Sequence, residues 1–236
     1  MDSLYFILSK DKNKEITNND ASYIVVNNKY NYILPYNNIY SHLDKGIFKN
    51  SIIEWCQELS NKEKIMLDIG SHTGTFSISL SNFYKKIYAF EPQKMTYYAL
   101  CGGVALSNCH NVECINYAIG SPDQVGNCNL NIIREDGFGS TLLDPKTPII
   151  SQEVVRVRTL DSFNFTNVGF IKLNTEGNEL NVLKGSLNTL KESNNPSILF
   201  KSNNNYELYN FFHDIGYTII NILGYSDTFL AASIKK

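Results

Sequence analysis

Residues 65–77, Ile-Met-Leu-Asp-Ile-Gly-Ser-His-Thr-Gly-Thr-Phe-Ser, restrict what this chain can fold into more than any other segment. An apolar run carrying Asp68 near its end reads as a buried strand. Gly70 and Gly74 bracket a turn, and Thr75-Phe76-Ser77 opens a helix. A second apolar run, Ile87-Tyr88-Ala89-Phe90, closes on Glu91-Pro92. Two short buried strands that each end in a carboxylate, joined by a glycine turn and a helix, form the nucleotide half-site of a doubly wound α/β sheet. The glycines let backbone approach a ligand closely, and Glu91 is placed to accept from both hydroxyls of a ribose.

The spacing is D-x-G-x-x-x-G, whereas dinucleotide sites use G-x-G-x-x-G to cradle a pyrophosphate. S-adenosylmethionine has a ribose and no phosphates, so it fits this pattern better than a nicotinamide cofactor. On that reading the loop Gly70-Ser71-His72-Thr73-Gly74 passes the methionine end of the cofactor. Asp68 shapes the loop and meets the ammonium, Glu91 holds the ribose, and Ala118 with its neighbours borders the adenine.

The rest of the chain alternates strands and helices, which argues a doubly wound, mostly parallel sheet of seven strands. Residues 22–34 are expected to form a hairpin turning at Asn27-Asn28, and Ser51-x-x-Glu54 to open a helix with Ile52, Ile53, Cys56 and Leu59 on its apolar face. The apolar N-terminus from Met1 lacks a basic lead and a cleavage site, so it reads as a strand rather than a signal peptide. Helices are expected over 74–83, over 93–108 with Gly102-Gly103 weakening its middle, and over 178–190. A third strand is expected over 112–119. Strands over 127–133 and 154–157 flank a loop-like span, 135–151, able to close over a substrate. Strands over 170–173, 197–200, 218–223 and 228–234 complete the sheet, the last two as an antiparallel edge pair. Residues 1–64 are too short for a separate domain and are expected to cover a single domain whose cofactor-binding sheet spans 65–236.

Charge and composition narrow the function. The net charge of −2 and pI near 6.1 supply no basic face for a phosphate backbone, so a nucleic-acid partner is disfavoured. No apolar run reaches the roughly 18 residues of a membrane span. Cys109-His110 with Cys114 lacks ordinary zinc spacing, so no metal is expected. The odd count of five cysteines reads as reduced thiols of a cytoplasmic protein. Thirty asparagines in 236 residues point to an AT-rich coding sequence rather than to a low-complexity function.

Four blocks in order give the chain a family resemblance. They are Leu67-Asp68-Ile69-Gly70-Ser71-His72-Thr73-Gly74-Thr75-Phe76-Ser77; Ala89-Phe90-Glu91-Pro92; Val157-Arg158-Thr159-Leu160-Asp161-Ser162; and Phe170-Ile171-Lys172-Leu173-Asn174-Thr175-Glu176-Gly177-Asn178-Glu179-Leu180 with Val182-Leu183-Lys184-Gly185. Over about residues 65–220 the chain resembles the FkbM-type methyltransferases, class I enzymes that use S-adenosylmethionine. The resemblance implies O-methylation of a hydroxyl on a sugar, a glycan or a related small molecule, with a glycosyltransferase as a candidate source of substrate. Two positions depart from the family pattern: Asn174 stands where aspartate is usual, and Lys201 where glutamate is common. Both fall at strand tips on the cofactor and substrate side of such a sheet. The departures raise an alternative, a catalytically impaired protein that keeps the fold as a binding or scaffolding module.

Methyl transfer needs acceptor oxygen, methyl carbon and sulfur in line, and a base helps when the acceptor is an alcohol. His72, Glu176 and Lys201 are the candidates for that base, with Glu176 placed first and Asn174 beside it at the strand tip. Glu176 has a competing reading as a cap for the helix opening at Asn178, and His72 as a loop-stabilising residue. Lys172, inside an apolar strand, is expected to snorkel. The tyrosines from Tyr23 to Tyr40 are expected either to cover the core or to line an acceptor cleft.

Overall fold

A computed structural model describes residues 23–27, 30–35, 50–133, 140–143, 147–203 and 205–233 of the chain. The expected strand at the extreme N-terminus, and parts of the tyrosine stripe and of the 135–151 span, lie outside these residues. In the main sheet, β3 (Ile65–Ile69), β4 (Lys86–Phe90), β5 (Val112–Ile115), β10 (Val168–Leu173) and β11 (Ser197–Lys201) all run parallel. With β12 (Thr218–Asn221) and β13 (Thr228–Ala232) the order is β12-β13-β11-β10-β3-β4-β5. The seven-stranded, mostly parallel sheet expected from the sequence is therefore present. The closing pair is antiparallel at one edge of the sheet as expected, with β13 lying between β11 and β12.

The central strands are apolar throughout because both faces are covered. Alternate residues serve opposite layers. Leu67, Ile171, Ile198 and Phe200 pack with Val182, Leu183, Leu208 and Phe212, whereas Met66, Phe170 and Leu199 pack with Ile52, Ile53, Cys56 and Phe76. The first layer belongs to α4 (Glu179–Lys184), α5 (Leu187–Glu192) and α6 (Tyr206–Asp214). The second belongs to α1 (Asn50–Glu58) and α2 (Thr75–Ser79). Ser51 falls inside α1 rather than capping it, and its hydroxyl pairs with that of Tyr225. Leu59 follows the helix and is partly exposed.

Strands β1 (Tyr23–Asn27) and β2 (Asn31–Pro35) pair antiparallel as expected, with Asn27 opposite Asn31 and the turn residues 28 and 29 outside the described set. Helix α3 (Lys94–Leu106) runs unbroken through Gly102-Gly103. β2 lies across those glycines: a Cβ on Gly102 would come within 2.5 Å of Ile33 Cδ1. Asn31 Nδ2 donates to Leu106 O at the end of the helix. The glycines thus trade helix propensity for close packing.

Three expected elements divide. The helix over 74–83 is α2 followed by a 3₁₀ turn at Ser81–Phe83. The strand over 112–119 is β5 and a separate β6 (Ala118–Ile119), because Asn116 Nδ2 turns the chain by donating to Glu91 O and Pro92 O. The helix over 178–190 breaks into α4 and α5 where Gly185 meets the Gly120 carbonyl; a Cβ there would lie 2.1 Å from that oxygen. One helix went unforeseen: α6 follows the asparagine run, where Asn205 Oδ1 accepts from Leu208 N as an N-cap.

A second sheet, ordered β6-β9-β7-β8, contains β7 (Gly126–Ile132), β8 (Ser140–Thr141) and β9 (Ser151–Arg158). Its antiparallel β7–β9 pair corresponds to the two strands expected over 127–133 and 154–157. Ala118, Leu130, Ile132, Val155 and Val157 form its core, and it walls one side of a cleft at the carboxyl ends of the main strands. Among the described residues no helix is long and apolar enough to cross a membrane.

Candidate functional site

A cleft open to solvent lies over the carboxyl ends of β4, β3, β10 and β11, the position at which open α/β sheets bind ligands. Its lining contains Gly70, Ser71, His72, Glu91, Ala118, Asn174, Glu176 and Lys201, so most of the residues singled out from the sequence come together. Asp68, Thr73 and Gly74 do not line it.

The reasons are local. Asp68 is fully buried beneath the loop: Oδ2 accepts from Ser77 N at 3.2 Å and Ser77 Oγ at 2.6 Å, and Oδ1 pairs with Lys172 Nζ at 3.1 Å. Its role here is to tie β3 to α2 and β10. Thr73 is buried with Oγ1 3.2 Å from His72 Nδ1. Gly74 has φ +89 and faces Leu100 and Ile78. Gly70, at φ +73, packs directly on the tip of β10; an added Cβ would sit 1.8 Å from Asn174 O. Both glycines are therefore required by the protein's own packing.

Glu91 is the best-organised group in the cleft. Oε2 accepts from His72 N at 2.9 Å and Oε1 from Gln93 N at 3.0 Å, so the carboxylate is aimed by two backbone amides. Burial pushes its pKa up from 4.5 to about 7; the amides of Gln93 and His72 and the Lys172 charge oppose that rise, and Asp68 adds to it. Each oxygen keeps a lone pair for a ligand hydroxyl. Beside it Tyr117, Ala118, Ile119, Leu130 and Pro92 make an apolar wall suited to a planar base. Ser71 Oγ is buried and lacks a hydrogen-bond partner.

The opposite end is looser. Asn174 N donates to Ile69 O, and Asn174 Nδ2 lies 3.5 Å from Glu176 Oε1. Glu176 is exposed, with φ +51. It does not cap the following helix. Glu179 takes that part from below, Oε1 accepting from Thr175 N at 2.7 Å and Gly177 N at 3.4 Å, and burial raises its pKa against those amides. Lys201 Nζ pairs with Asp227 Oδ2 at 3.2 Å, both half-exposed. Thr228, paired with Lys201 across the sheet, also lines this end.

Lys172 does not snorkel to solvent. Its side chain is 10% exposed, its ammonium meets Asp68 Oδ1 and donates to Gly70 O, and it reaches the cleft from beneath. Sequence reasoning named Lys172 without a role and missed Tyr117, Thr141, Leu142 and Asp227. Tyr117 was hidden inside an expected strand; Thr141 and Leu142 sat in a span read as loop.

The residues present fit S-adenosylmethionine: a diol acceptor, an apolar wall beside it, and an unsatisfied buried hydroxyl further along. Comparison with known families and structures agrees. The family described as methyltransferase FkbM domain matches residues 68–226. A solved FkbM methyltransferase from Methylobacillus flagellatus aligns at TM-score 0.52 and 17% identity, over 72% of this chain and 44% of that one. The chain thus spans less than half the length of that relative. A precorrin-6y C5,15-methyltransferase from Geobacter metallireducens aligns at TM-score 0.50 and 11% identity, over 80% of this chain and 91% of that one. Both likenesses are of fold. A sequence comparison with curated proteins finds no match.

Proposed function

The chain belongs to the FkbM methyltransferase family, whose methyl donor is S-adenosylmethionine, and from that premise we propose that it is an O-methyltransferase acting on a hydroxyl of a sugar, a glycan or a related small molecule. The observation that carries this reading is Glu91, a buried carboxylate oriented by two backbone amides at the end of β4 and open to the cleft. Residues 1–236 act as one methyltransferase domain in this reading, with 1–64 as the cover and 65–236 as the cofactor-binding sheet.

Sheet order supports a division of the parts. The apolar wall at β6 takes the adenine, Glu91 at β4 the ribose, and Gly70-Ser71-His72 at β3 the methionine end. The acceptor then lies over β10 and β11, among Asn174, Glu176, Lys201 and Thr228. The bound cofactor supplies an electrophilic methyl carbon; the chain orients the acceptor, excludes water and takes up a proton. Glu176 is the group free to do the last. Its carboxylate is on the surface of the cleft and held by one long contact from Asn174 Nδ2, so it can swing to an acceptor hydroxyl and receive its proton. Asn174 donates to an acceptor oxygen or to Glu176, and Lys201 is neutralised by Asp227 rather than poised as a base.

The test is calorimetric titration with S-adenosylhomocysteine, using Glu91→Ala as control, followed by a screen of glycan and nucleotide-sugar acceptors. Binding lost in the control, then methyl transfer abolished by Glu176→Gln, supports the reading. Cofactor binding without transfer to any hydroxyl acceptor favours the scaffolding alternative, to which Asn174 and the masked charge of Lys201 already lend weight.

A further inference from the structure

Lys172 is an expensive residue to keep inside a parallel sheet. Two of its three donors are accounted for, by Asp68 Oδ1 at 3.1 Å and by Gly70 O. The ion pair alone does not explain it, since a buried pair seldom stabilises a fold more than apolar residues of the same size. Lys172 nevertheless lines the cleft, and so does Ser71. Ser71 is 3% exposed and its hydroxyl lacks a protein partner, an unfavourable state for a buried polar group. The third ammonium hydrogen of Lys172, with only the Phe76 ring 5.7 Å away besides its two oxygen partners, and the unused hydroxyl of Ser71 in the loop after the adjoining strand call for the same kind of ligand atom. It must be an acceptor, and preferably an anion.

We propose that Lys172 and Ser71 together bind the carboxylate at the amino-acid end of the cofactor. This deepens the cofactor reading given above and rests on it. Along the sheet, Glu91 on β4 fixes the ribose; the next positions outward are Ser71 after β3 and Lys172 on β10, before the acceptor end at Asn174. The amino-acid chain of the cofactor has to cross this interval. Lysine has no acceptor and repels the cofactor's ammonium, so the carboxylate is the end it selects. Asp68, bonded to Ser77 and to Lys172 and absent from the cleft lining, then acts as a positioning residue that holds the ammonium upright.

The proposal is tested by calorimetry with two ligands: S-adenosylhomocysteine and its decarboxylated analogue, which keeps adenosine, sulfur and amine. The wild-type protein should prefer the carboxylate-bearing ligand by at least about tenfold, a difference of about 1.4 kcal/mol. Lys172→Met should bring that preference close to unity and Ser71→Ala should reduce it severalfold, with affinity for the decarboxylated ligand little changed. Ser71→Ala removes only an unbonded hydroxyl and keeps the test decisive if Lys172→Met fails to fold. A wild type that binds both ligands alike, or variants that weaken both alike, would overturn the proposal while leaving the cofactor site standing. Failure of the wild type to bind either ligand would instead sink the cofactor reading beneath it.

Discussion

The two ends of the cleft are built from different materials. At the β3–β4 end, position is set by backbone: amides aim Glu91, Phe90 O receives Gly70 N and Ser71 N, and Gly70 lies against the β10 carbonyl. At the β10–β11 end, position is set by side chains: Asn174 on Glu176, and Lys201 on Asp227, which also accepts from Thr228 Oγ1. Backbone contacts hold one geometry, whereas exposed side-chain pairs contribute little and rearrange easily. The first end suits a ligand that never changes. The second suits an acceptor whose identity is free to vary without unfolding the protein.

Matched glycine substitutions give the sharpest way to break this contrast. Gly70→Ala forces a Cβ to within 1.8 Å of Asn174 O at φ +73, so a loss of roughly 4 kcal/mol or outright misfolding is expected in urea unfolding. Gly177→Ala at the acceptor end meets nothing nearer than Leu143 Cδ1 at 3.4 Å and should cost only backbone strain, about 1–2 kcal/mol. Equal losses would erase the distinction.

A pH series sharpens it further. With a pKa near 7 in the fold against 4.5 ordinarily, Glu91 holds its proton where the unfolded chain has released it. Its contribution is therefore fully present below pH 4.5 and declines as pH rises towards 7, by about 3 kcal/mol in all. Ribose hydroxyls donate best to the ionised form, so affinity for S-adenosylhomocysteine should fall about tenfold between pH 8 and pH 6. Glu91→Gln should bind weakly and without that slope; an unchanged slope would point to another titrating group.

Smaller effects are expected across the cleft. Asn174→Asp removes the amide that donates to Glu176 and sets two carboxylates side by side, at a cost of about 1 kcal/mol or less for exposed groups, with cofactor affinity unchanged. Its turnover on any accepted hydroxyl is the informative readout, and a rise would mark the asparagine as a brake. Lys201→Met loses one half-exposed ion pair and should shift stability by no more than about 0.5 kcal/mol in thermal unfolding. A larger shift would mean that the acceptor end is more rigid than its contacts imply.

What could be read from the chain divides along the same line. Strand periodicity and the carboxylate-ended strands located the sheet, the cleft and Glu91, because each signal is carried by a few consecutive residues. Contacts between distant segments were illegible. Lys172 looked like a snorkelling residue because Asp68 is its neighbour only across β3 and β10. Asp68 looked like a ligand contact because Ser77, which occupies it, sits one helix start away. Glu176 and Glu179 are interchangeable as caps on paper; the left-handed turn at Glu176 and Gly177 decides that Glu179 points inward. The asparagine run concealed a cap and hence a helix.

The meeting of Gly185 with the Gly120 carbonyl has a consequence of another kind. It joins the small sheet to the break between α4 and α5 at the thickness of bare peptide. A side chain in a contact can be exchanged for another, but a joint made of backbone has nothing to trade. It works as a gauge block, setting the apolar wall at β6 and the helices α4 and α5 at one fixed separation. Whatever changes the side chains of the cleft undergo, the separation of β6 from the break between α4 and α5 stays as these two backbones set it.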